Sequence, residues 1–421
     1  MPLVAGRSRL EVGSGEPIPP SDFNFHLLPL WVLPLRERPV NRPIAILTPL
    51  MPPMRGGVAD HSWHLAKNLS AAGHDLTVVS SRDTYTKQPF KSLAAINDWD
   101  DFGQLLIVLN EDVPPNAVLL WQYVPHMYGR GGVNKVLPKI WNAFRREGRD
   151  QIILAHEIMA PWGRRPNHWY YAWHHRRQWK AAVRDANLLP ISTERWLENW
   201  SKRDRRLREK GFTLASPSSI ETVPVAPDHK RAWRLERGLD PETKILAWFG
   251  SVSVTKQLEW VLDAWETANR VGVHTSFCVI GGTPMLPIPG QLRTRYRALG
   301  HMPAEEVSLA LSAADLVGLP YVDGVSERRT TMMAALAHGL PVVGTVGSST
   351  GSTLQAAKFM ALSSATEEKP FVQNVVDLLW NDDNRRALAA AGSAAYAENY
   401  SWPVTVENLR SHMDEAGLLK A

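Results

Sequence analysis

The chain has 421 residues, 44% of them hydrophobic, and a formal net charge of +5. This length predicts two or three domains, and a charge this small does not by itself indicate a nucleic-acid partner. The single cysteine, Cys278, excludes an internal disulfide and favours a cytoplasmic location. No apolar run reaches the roughly eighteen residues of a membrane-spanning helix, and the N-terminus lacks a signal-peptide pattern, so we expect neither.

The first part of the chain changes character at Arg42. Residues 1–40 are rich in proline, glycine and arginine without a stable period, which predicts an irregular extension. A strand, a glycine loop, a helix and a second strand are then predicted at Ile44–Thr48, Gly56-Gly57, Val58–Gly73 and Asp75–Val79. A strand–helix–strand unit with so long a crossover indicates parallel pairing.

The same alternation continues to the C-terminus. Further strands are predicted at Leu105–Leu109, Ala117–Trp121, Gln151–Ala155, Asn187–Ile191 and Glu221–Val225. After the linker Pro224–Asp228, a second series is predicted at Lys244–Phe249, His274–Ile280, Asp315–Leu319, Pro341–Val343 and Lys358–Leu362. Two such series predict an α/β fold of two doubly wound, Rossmann-like domains that face a central cleft, with ligands at the carboxyl ends of the strands.

The stretch Pro320–Thr345 has the features of a phosphate site. An apolar strand leads into a polar loop, and Thr330 and Thr331 supply hydroxyl groups where a helix must begin. A helix N-terminus offers unpaired N–H groups and about half a positive charge, and it attracts phosphate without a metal ion. Arg328 and Arg329 stand at that terminus. The alternative is an ordinary strand–loop–helix with solvated arginines.

Two more polar residues follow predicted strands. Lys256 comes after Lys244–Phe249 and a glycine loop, which places an ammonium group near the predicted phosphate site. His156 follows Gln151–Ala155, and a neutral imidazole there can hydrogen-bond a sugar hydroxyl or a forming charge. The alternatives are a surface lysine and a core-edge histidine satisfied by backbone.

Two short motifs allow other chemistry. Asp98-Trp99-Asp100 has the spacing of a Mg²⁺ site, but no apolar strand leads into it. Gly347–Gly351 fits a nucleophile elbow with Ser349 as the nucleophile, and it would need Asp382 or Asp383 as the acid and His412 as the base downstream. We favour neither.

The region 161–211 concentrates arginine, lysine and tryptophan. Basic helices with tryptophan suit an anionic membrane surface, because indoles lie at the headgroup level and arginines meet phosphates. The same mixture could bind single-stranded nucleic acid, which we rank last. The protein is therefore predicted to be cytoplasmic, with a peripheral contact at the cytoplasmic face of a membrane.

Five motifs in order resemble the retaining glycosyltransferases of family 4, which have the GT-B fold. They are Pro53-Met-Arg-Gly-Gly-Val-Ala-Asp-His61 with Ala72-Gly-His74, His156-Glu157, Gly250–Lys256, Pro320–Thr345 and Asn399-Tyr-Ser-Trp402. The resemblance implies an acceptor domain at 41–225, a nucleotide-sugar domain at 226–400, and a C-terminal helix at 401–421 that crosses back to the first domain.

The resemblance also implies roles for individual residues. Gly56 and Gly57 approach the diphosphate or donor sugar, and Gly250, Ser251, Ser326 and Glu327 lie at the donor site. Lys256 neutralises the leaving diphosphate, the backbone at Arg328–Thr330 cradles it, and His156 contacts the donor sugar near the reacting carbon. No cofactor or metal is expected.

Three positions depart from the family pattern. Ser251 stands where the family usually has arginine, and Ser326 and Ala334 stand where it has glutamates that contact the donor sugar and the ribose. We hypothesise that Arg328 or Arg329 replaces the missing cation and that Glu327 could replace one carboxylate.

These observations predict a metal-independent retaining glycosyltransferase of the hexosyltransferase type, with a nucleotide-diphosphate sugar as donor and a glycan, lipid-linked or other acceptor. A nucleotide-sugar 2-epimerase and a catalytically impaired sugar-nucleotide-binding subunit are the alternatives.

Overall fold

The computed structural model describes residues 42–54, 56–81, 88–160, 162–163, 165–282 and 286–420. The predicted extension at 1–40 lies outside these residues, as does Arg55. The described chain forms two successive sheets whose strands are all parallel, with helices between them. The predicted α/β fold with two doubly wound sheets is therefore confirmed.

The first sheet has the strand order β3-β2-β1-β4-β5-β6-β7. Its strands are β1 (Ile44–Thr48), β2 (Leu76–Ser81), β3 (Lys91–Ile96), β4 (Val118–Tyr123), β5 (Gln151–Ala155), β6 (Leu189–Ile191) and β7 (Gly211–Thr213). Its helices are α1 (Gly57–Ala71), α2 (Phe102–Glu111), α3 (Leu137–Arg146), α4 (Pro166–Asp185), α5 (Glu194–Ser201) and α6 (Arg205–Lys210).

The second sheet has the strand order β10-β9-β8-β11-β12-β13. Its strands are β8 (Lys244–Phe249), β9 (Thr275–Ile280), β10 (Tyr296–Gly300), β11 (Leu316–Leu319), β12 (Val342–Val346) and β13 (Ala361–Ser364). The helices that follow the first sheet are α7 (Pro227–Glu236), α8 (Leu258–Arg270), α9 (Ala304–Ala313), α10 (Thr330–Ala337), α11 (Ser352–Gln355), α12 (Glu368–Trp380), α13 (Asp382–Asn399) and α14 (Trp402–Glu415).

Each sheet is covered on both faces, which explains why its central strands are continuous apolar runs rather than alternating ones. Every residue of β4 and β5 is buried, and the side chains of the first sheet divide into two core clusters, one on each face. The second sheet divides in the same way. With their faces buried, both sheets keep their carboxyl edges for binding.

The last helix, α14, packs on the first sheet although it follows the second. Trp402, Leu409 and Met413 belong to the same core cluster as β1 and α1. The Trp402 indole N–H also donates to the Ser218 carbonyl at 2.8 Å. The last helix therefore packs on the half of the molecule that contains the first sheet.

Two of the predicted strands are wrong. Leu105–Leu109 lies in α2, where the Asp101 carboxylate caps the first turn by accepting from the Gln104 N–H. Leu105, Val108 and Leu109 are buried at helical spacing while Ile107 is exposed, so the five-residue apolar run is one face of a helix. Glu221–Val225 is an exposed connection between the two sheets.

Candidate functional site

A cavity of about 190 Å³ lies where the carboxyl ends of the two sheets meet. The lining residues lie after strands or within the first two turns of helices at those ends. The lining residues are Gly57, Val58, His61, Val124, His156, Glu157, Ser216, Arg328 and Thr330. The structure therefore brings four predicted site residues, Gly57, His156, Arg328 and Thr330, to one place.

His156 enters the cavity from the end of β5 and is held by a neighbouring strand. Its Nε2 lies 2.6 Å from the Gln122 Oε1 of β4. Burial lowers the pKa of His156 to about 4. The imidazole is therefore neutral at pH 7, with Nε2–H donating to Gln122 and Nδ1 left as an acceptor.

His61 completes this wall and carries no predicted role. Its ring meets the His156 ring edge to face, with centroids 4.5 Å apart, and it also contacts Trp402 of α14. Burial and the neighbouring His156 hold the pKa of His61 well below its usual value. The sequence offered a signal, because His61 stands one helical turn after Gly57 and so shares its face of α1.

The glycines before His61 leave open space beside the backbone. Gly56 caps α1 with φ +154, and Gly57 is the first residue of the helix. A Cβ atom at either position would meet no atom within 4 Å. A ligand can therefore approach this backbone closely, and a larger residue would occupy that space.

The opposite wall is the N-terminus of α10 with its two arginines. Asp323 binds both of them: its carboxylate pairs with Arg329 and lies 3.2 Å from Arg328 Nη2. Arg328 Nη1 also lies 3.3 Å from Glu157 Oε1, so this arginine links the second half of the molecule to the end of β5. The guanidinium group of Arg328 stacks on Trp196, and that of Arg329 stacks on Tyr321.

Lys256 lies next to this wall but does not line the cavity. Its Nζ is 5.4 Å from the Trp248 ring centroid and 5.9 Å from that of Tyr321. A Cβ atom on Gly250 would lie 2.8 Å from this Nζ and 2.9 Å from Thr331 Cγ2, so the loop requires glycine there. Burial, together with the charge of Arg329, lowers the pKa of Lys256 to about 8.

These side chains give the α10 terminus a small positive excess. Three cations, Lys256, Arg328 and Arg329, face two carboxylates, Asp323 and Glu157, which leaves one positive charge. The helix N-terminus adds its partial charge. The arrangement can hold an anionic group, and its cations are already positioned by ion pairs and aromatic rings before any ligand arrives.

The structure directs Glu327 away from this wall. Its carboxylate accepts from the Glu194 N–H at 3.2 Å, at the first turn of α5, and its backbone carbonyl accepts from the Ser216 N–H. Burial, with the carboxylates of Glu194 and Glu198, raises the pKa of Glu327 to about 7. Glu327 is thus placed at the junction of the two halves rather than in the cavity lining.

Two carboxylates of α5, in the first half, also cap a helix of the second half. Glu194 Oε2 accepts from the Thr353 N–H at 3.0 Å in the first turn of α11, and Glu198 accepts from the Ser352 hydroxyl at 2.9 Å. Gly351 fits beneath this contact, because a Cβ there would lie 2.3 Å from Glu194 Oε2. Each half of the molecule therefore caps a helix of the other.

The positions that depart from the family pattern are also clear in the structure. Ser326 is fully buried, and its hydroxyl has no partner among the described residues. Ala334 is fully buried inside α10, whereas Ser251 is exposed on the loop after β8. No carboxylate occupies the positions of the two expected glutamates.

The two alternative motifs have structural roles. The Ser349 hydroxyl donates to Asp323 at 2.9 Å, while His412 stacks on Phe212 at 3.7 Å in the first half. Asp98 accepts from the Asp100 N–H in a turn. In the part of the chain that the structure describes, no three His, Cys, Asp or Glu side chains group to hold a metal ion.

The aromatic residues of region 161–211 differ in exposure, and Trp196 and Trp200 are partly buried against the core of the first half. Trp179 is buried in the core, whereas Trp162, Trp169, Tyr170 and Trp173 are about half exposed. Arg176 and Arg177 lie over two of the exposed indoles. Residues 161 and 164 lie outside the described part. None of the described helices combines the length and hydropathy needed to cross a bilayer.

Comparison with known proteins adds a family match in the second half. Residues 243–381 match the family model described as "Glycosyl transferases group 1". The chain is also 27% identical over 218 residues to the D-inositol 3-phosphate glycosyltransferase of Segniliparus rotundus. That alignment covers 47% of each chain, about half the length of the curated relative.

Solved structures match over most of the chain. Sucrose-phosphate synthase from Thermosynechococcus elongatus aligns with a TM-score of 0.66 at 14% identity, covering 89% of this chain and 98% of that one. HepE from Anabaena, solved with UDP and glucose, gives 0.65 at 14% identity, covering 88% and 100%. WaaG, a glycosyltransferase involved in lipopolysaccharide biosynthesis, gives 0.60 at 15% identity, covering 88% and 98%. The predicted GT-B fold is confirmed.

Proposed function

We propose that this chain is a retaining, metal-independent glycosyltransferase of family 4 that moves a hexose from a nucleotide-diphosphate sugar to a glycan, lipid-linked or other acceptor. One observation carries the proposal: a single cavity joins Gly57 and His156 of the first half to Arg328 and Thr330 at the N-terminus of α10. The group 1 family match in the second half and the curated relative support it.

The leaving diphosphate would bind at the α10 terminus. The Arg329 and Thr330 N–H groups donate to the Ser326 and Arg328 carbonyls, so the attraction would come from the partial charge of the helix terminus and from Arg328, Arg329 and Lys256. In a retaining transfer the bond from the sugar to the phosphate breaks, so the negative charge grows on the phosphate oxygens. Preorganised cations stabilise that charge more in the transition state than in the ground state.

His156 would orient the donor sugar rather than carry charge. Its neutral ring has Nε2 fixed on Gln122, so Nδ1 can accept a hydrogen bond from a sugar hydroxyl. Glu157 is the one carboxylate that lines the cavity among the described residues, and it is paired with Arg328. This supports proton removal from the acceptor by the departing phosphate rather than by a protein carboxylate.

Two finer parts of the proposal concern location. The half-exposed indoles of α4 and the preceding loop, with Arg176 and Arg177, would make a peripheral contact with an anionic membrane from the cytoplasmic side. The acceptor would bind on the first-half wall of the cavity, beside His61 and Val124.

The test has two stages. Nucleotide-diphosphate sugars are screened by the rise in melting temperature that a ligand of the folded state produces. The best donor is then incubated with acceptors, and the anomeric configuration of the product is read by NMR. We expect retention, unaffected by EDTA, with turnover falling at least about 100-fold in Lys256→Met. An inverted product or a metal requirement would contradict the proposal.

A second candidate is a sugar-nucleotide-binding subunit with little activity of its own. The observation in its favour is that Ser326 and Ala334 supply no carboxylate to the donor site. It predicts a melting shift with a nucleotide-diphosphate sugar, but neither transfer nor slow donor hydrolysis. The same screen followed by hydrolysis assays separates the two candidates.

A further inference from the structure

A second cavity lies in the groove between α3 and α4, apart from the one at the domain junction. Its volume is about 690 Å³, and the two cavities share no lining residue. It is formed by the first turn of α3, the loop before it, and the outer face of α4 from Trp173 to Arg184. Nothing in the proposed transfer reaction uses it.

The walls of this cavity carry positive charge. Five cationic side chains and no acidic one line it: Lys135, Lys139, Arg177, Lys180 and Arg184. Arg184 pairs with Asp185, while the other four have no carboxylate partner in the described ranges. Like charges held around one space repel each other, so an anion placed there would lower the free energy of the whole group.

His174 responds to this charge. Burial lowers its pKa, and Lys135 and Arg177 lower it further. His174 therefore lines the cavity as a neutral ring that can hydrogen-bond a ligand. The indole of Trp173, which is 47% exposed, adds a flat apolar face beneath Arg177.

Gln178 indicates what else the ligand carries. It lines the cavity, is only 2% exposed, and donates through Nε2 to the Gly132 carbonyl at 2.8 Å. Its Oε1 is buried and has no partner among the described residues. A buried amide oxygen without a donor is unfavourable, and a ligand hydroxyl would satisfy it.

We propose that this cavity binds the phosphate ester of a small polyol. The lysines and arginines take the phosphate, and Gln178 accepts from a hydroxyl. This chemistry has two sources, a free compound such as glycerol 3-phosphate and the head group of phosphatidylglycerol. The inference does not depend on the transfer reaction, whereas its lipid source shares Trp173 and Arg177 with the membrane contact proposed above.

The test uses the full chain and two probes. Free sn-glycerol 3-phosphate is titrated by calorimetry, and vesicles of phosphatidylcholine with and without phosphatidylglycerol are co-sedimented with the protein. The cavity variant is Lys135→Gln/Lys139→Gln. The matched control is Lys91→Gln/Lys369→Gln, which removes two charges from exposed positions outside both the cavity and region 161–211. We expect the cavity variant to weaken binding about tenfold and the control less than about twofold.

Each outcome decides the question. Selective loss of glycerol 3-phosphate binding identifies a free ligand, and selective loss of binding to phosphatidylglycerol vesicles alone identifies a lipid head group. Binding of neither probe, or equal weakening in the two variants, overturns the proposal. The wild type should also prefer glycerol 3-phosphate to inorganic phosphate, and Gln178→Met should remove that preference. If the wild type binds glycerol 3-phosphate no better than inorganic phosphate, the role of Gln178 is refuted.

Discussion

Two positively charged regions of this molecule are built on opposite plans. At the domain junction, Arg328 and Arg329 are mostly buried, paired with Asp323 and stacked on aromatic rings. Between α3 and α4, the cations are exposed and mostly without carboxylate partners. Buried charge requires compensation before any ligand binds, whereas exposed charge is compensated by water. Substitutions should therefore affect folding and turnover at the junction, and ligand affinity alone at the groove.

The largest effect is expected when both junction arginines are removed. Arg328→Ala/Arg329→Ala deletes two cations beside the proposed phosphate site and leaves Asp323 without its ion pairs. We expect kcat/KM to fall at least about 100-fold, measured as transfer or donor hydrolysis. The charge-matched control Lys91→Ala/Lys202→Ala should keep its activity. Unchanged donor affinity and turnover in the arginine variant would refute the hypothesis that these residues replace the cation missing at Ser251.

The next effect is a pH dependence of the unfolding free energy, caused by the Glu327 carboxyl group at the junction of the two halves. Its pKa of about 7 in the folded chain lies above the ordinary value of 4.5. Folding is therefore favoured by the bound proton below about pH 4.5, and this contribution is lost as the pH rises through 7. Relative to Glu327→Gln, which stays neutral and keeps an acceptor oxygen, the wild type should lose about 3 kcal/mol of unfolding free energy between pH 4.5 and 8.

Urea unfolding of both proteins at several pH values measures this difference. Glu415→Gln, at an exposed position, serves as the matched control and should follow the wild-type curve. Parallel curves for the wild type and Glu327→Gln would mean that Glu327 is solvated in the folded chain.

A smaller effect is expected at Gly250, where backbone conformation and contact can be separated. Gly250 and Gly272 have φ of +106 and +92, but only Gly250 faces close neighbours, Lys256 and Thr331. Gly272→Ala should cost about 1 kcal/mol of unfolding free energy from strain, and Gly250→Ala about 3 kcal/mol, because its Cβ would also lie 2.9 Å from the Thr331 methyl group in the first turn of α10. If both substitutions lower the unfolding free energy equally, the close contact at Gly250 relaxes without an energetic penalty.

The smallest effect is expected at the groove. Lys135→Gln/Lys139→Gln should change the unfolding free energy by less than about 0.5 kcal/mol, because both side chains are exposed. A clear stabilisation would show instead that repulsion among the five cations strains the folded chain, which would sharpen the contrast with the compensated junction.

The sequence predicted the interior of this fold better than its edges. The bounds of β1, β5 and β8 agree with the prediction because these central strands are continuous apolar runs between polar loops. The strands β3 and β10 were missed because they lie at sheet edges and are partly exposed. The three residues of β7 are too few for any period to show.

The candidate site was also predictable in part: the residues at strand ends and helix starts were expected there, but their contacts across the two halves were not. His156 and the α10 terminus were expected in the cleft because strand ends and helix starts share one edge of a parallel sheet. The direction of the Glu327 carboxylate was not predictable, because its partner lies in another half of the chain, 133 residues away. The pairing of Asp323 with both arginines likewise depends on how the loop folds back over Ser349.

The adjacency of Glu327 and Arg328 has a thermodynamic consequence. One caps α5 and the other pairs with Glu157 at the end of β5, so two consecutive residues anchor the second half of the molecule to the first. An anion bound at the α10 terminus, next to Arg328, would change the stability of the same two contacts. Anion affinity and the opening of the cleft are then linked, and linkage is reciprocal: whatever factor the anion applies to closure, closure applies to the anion.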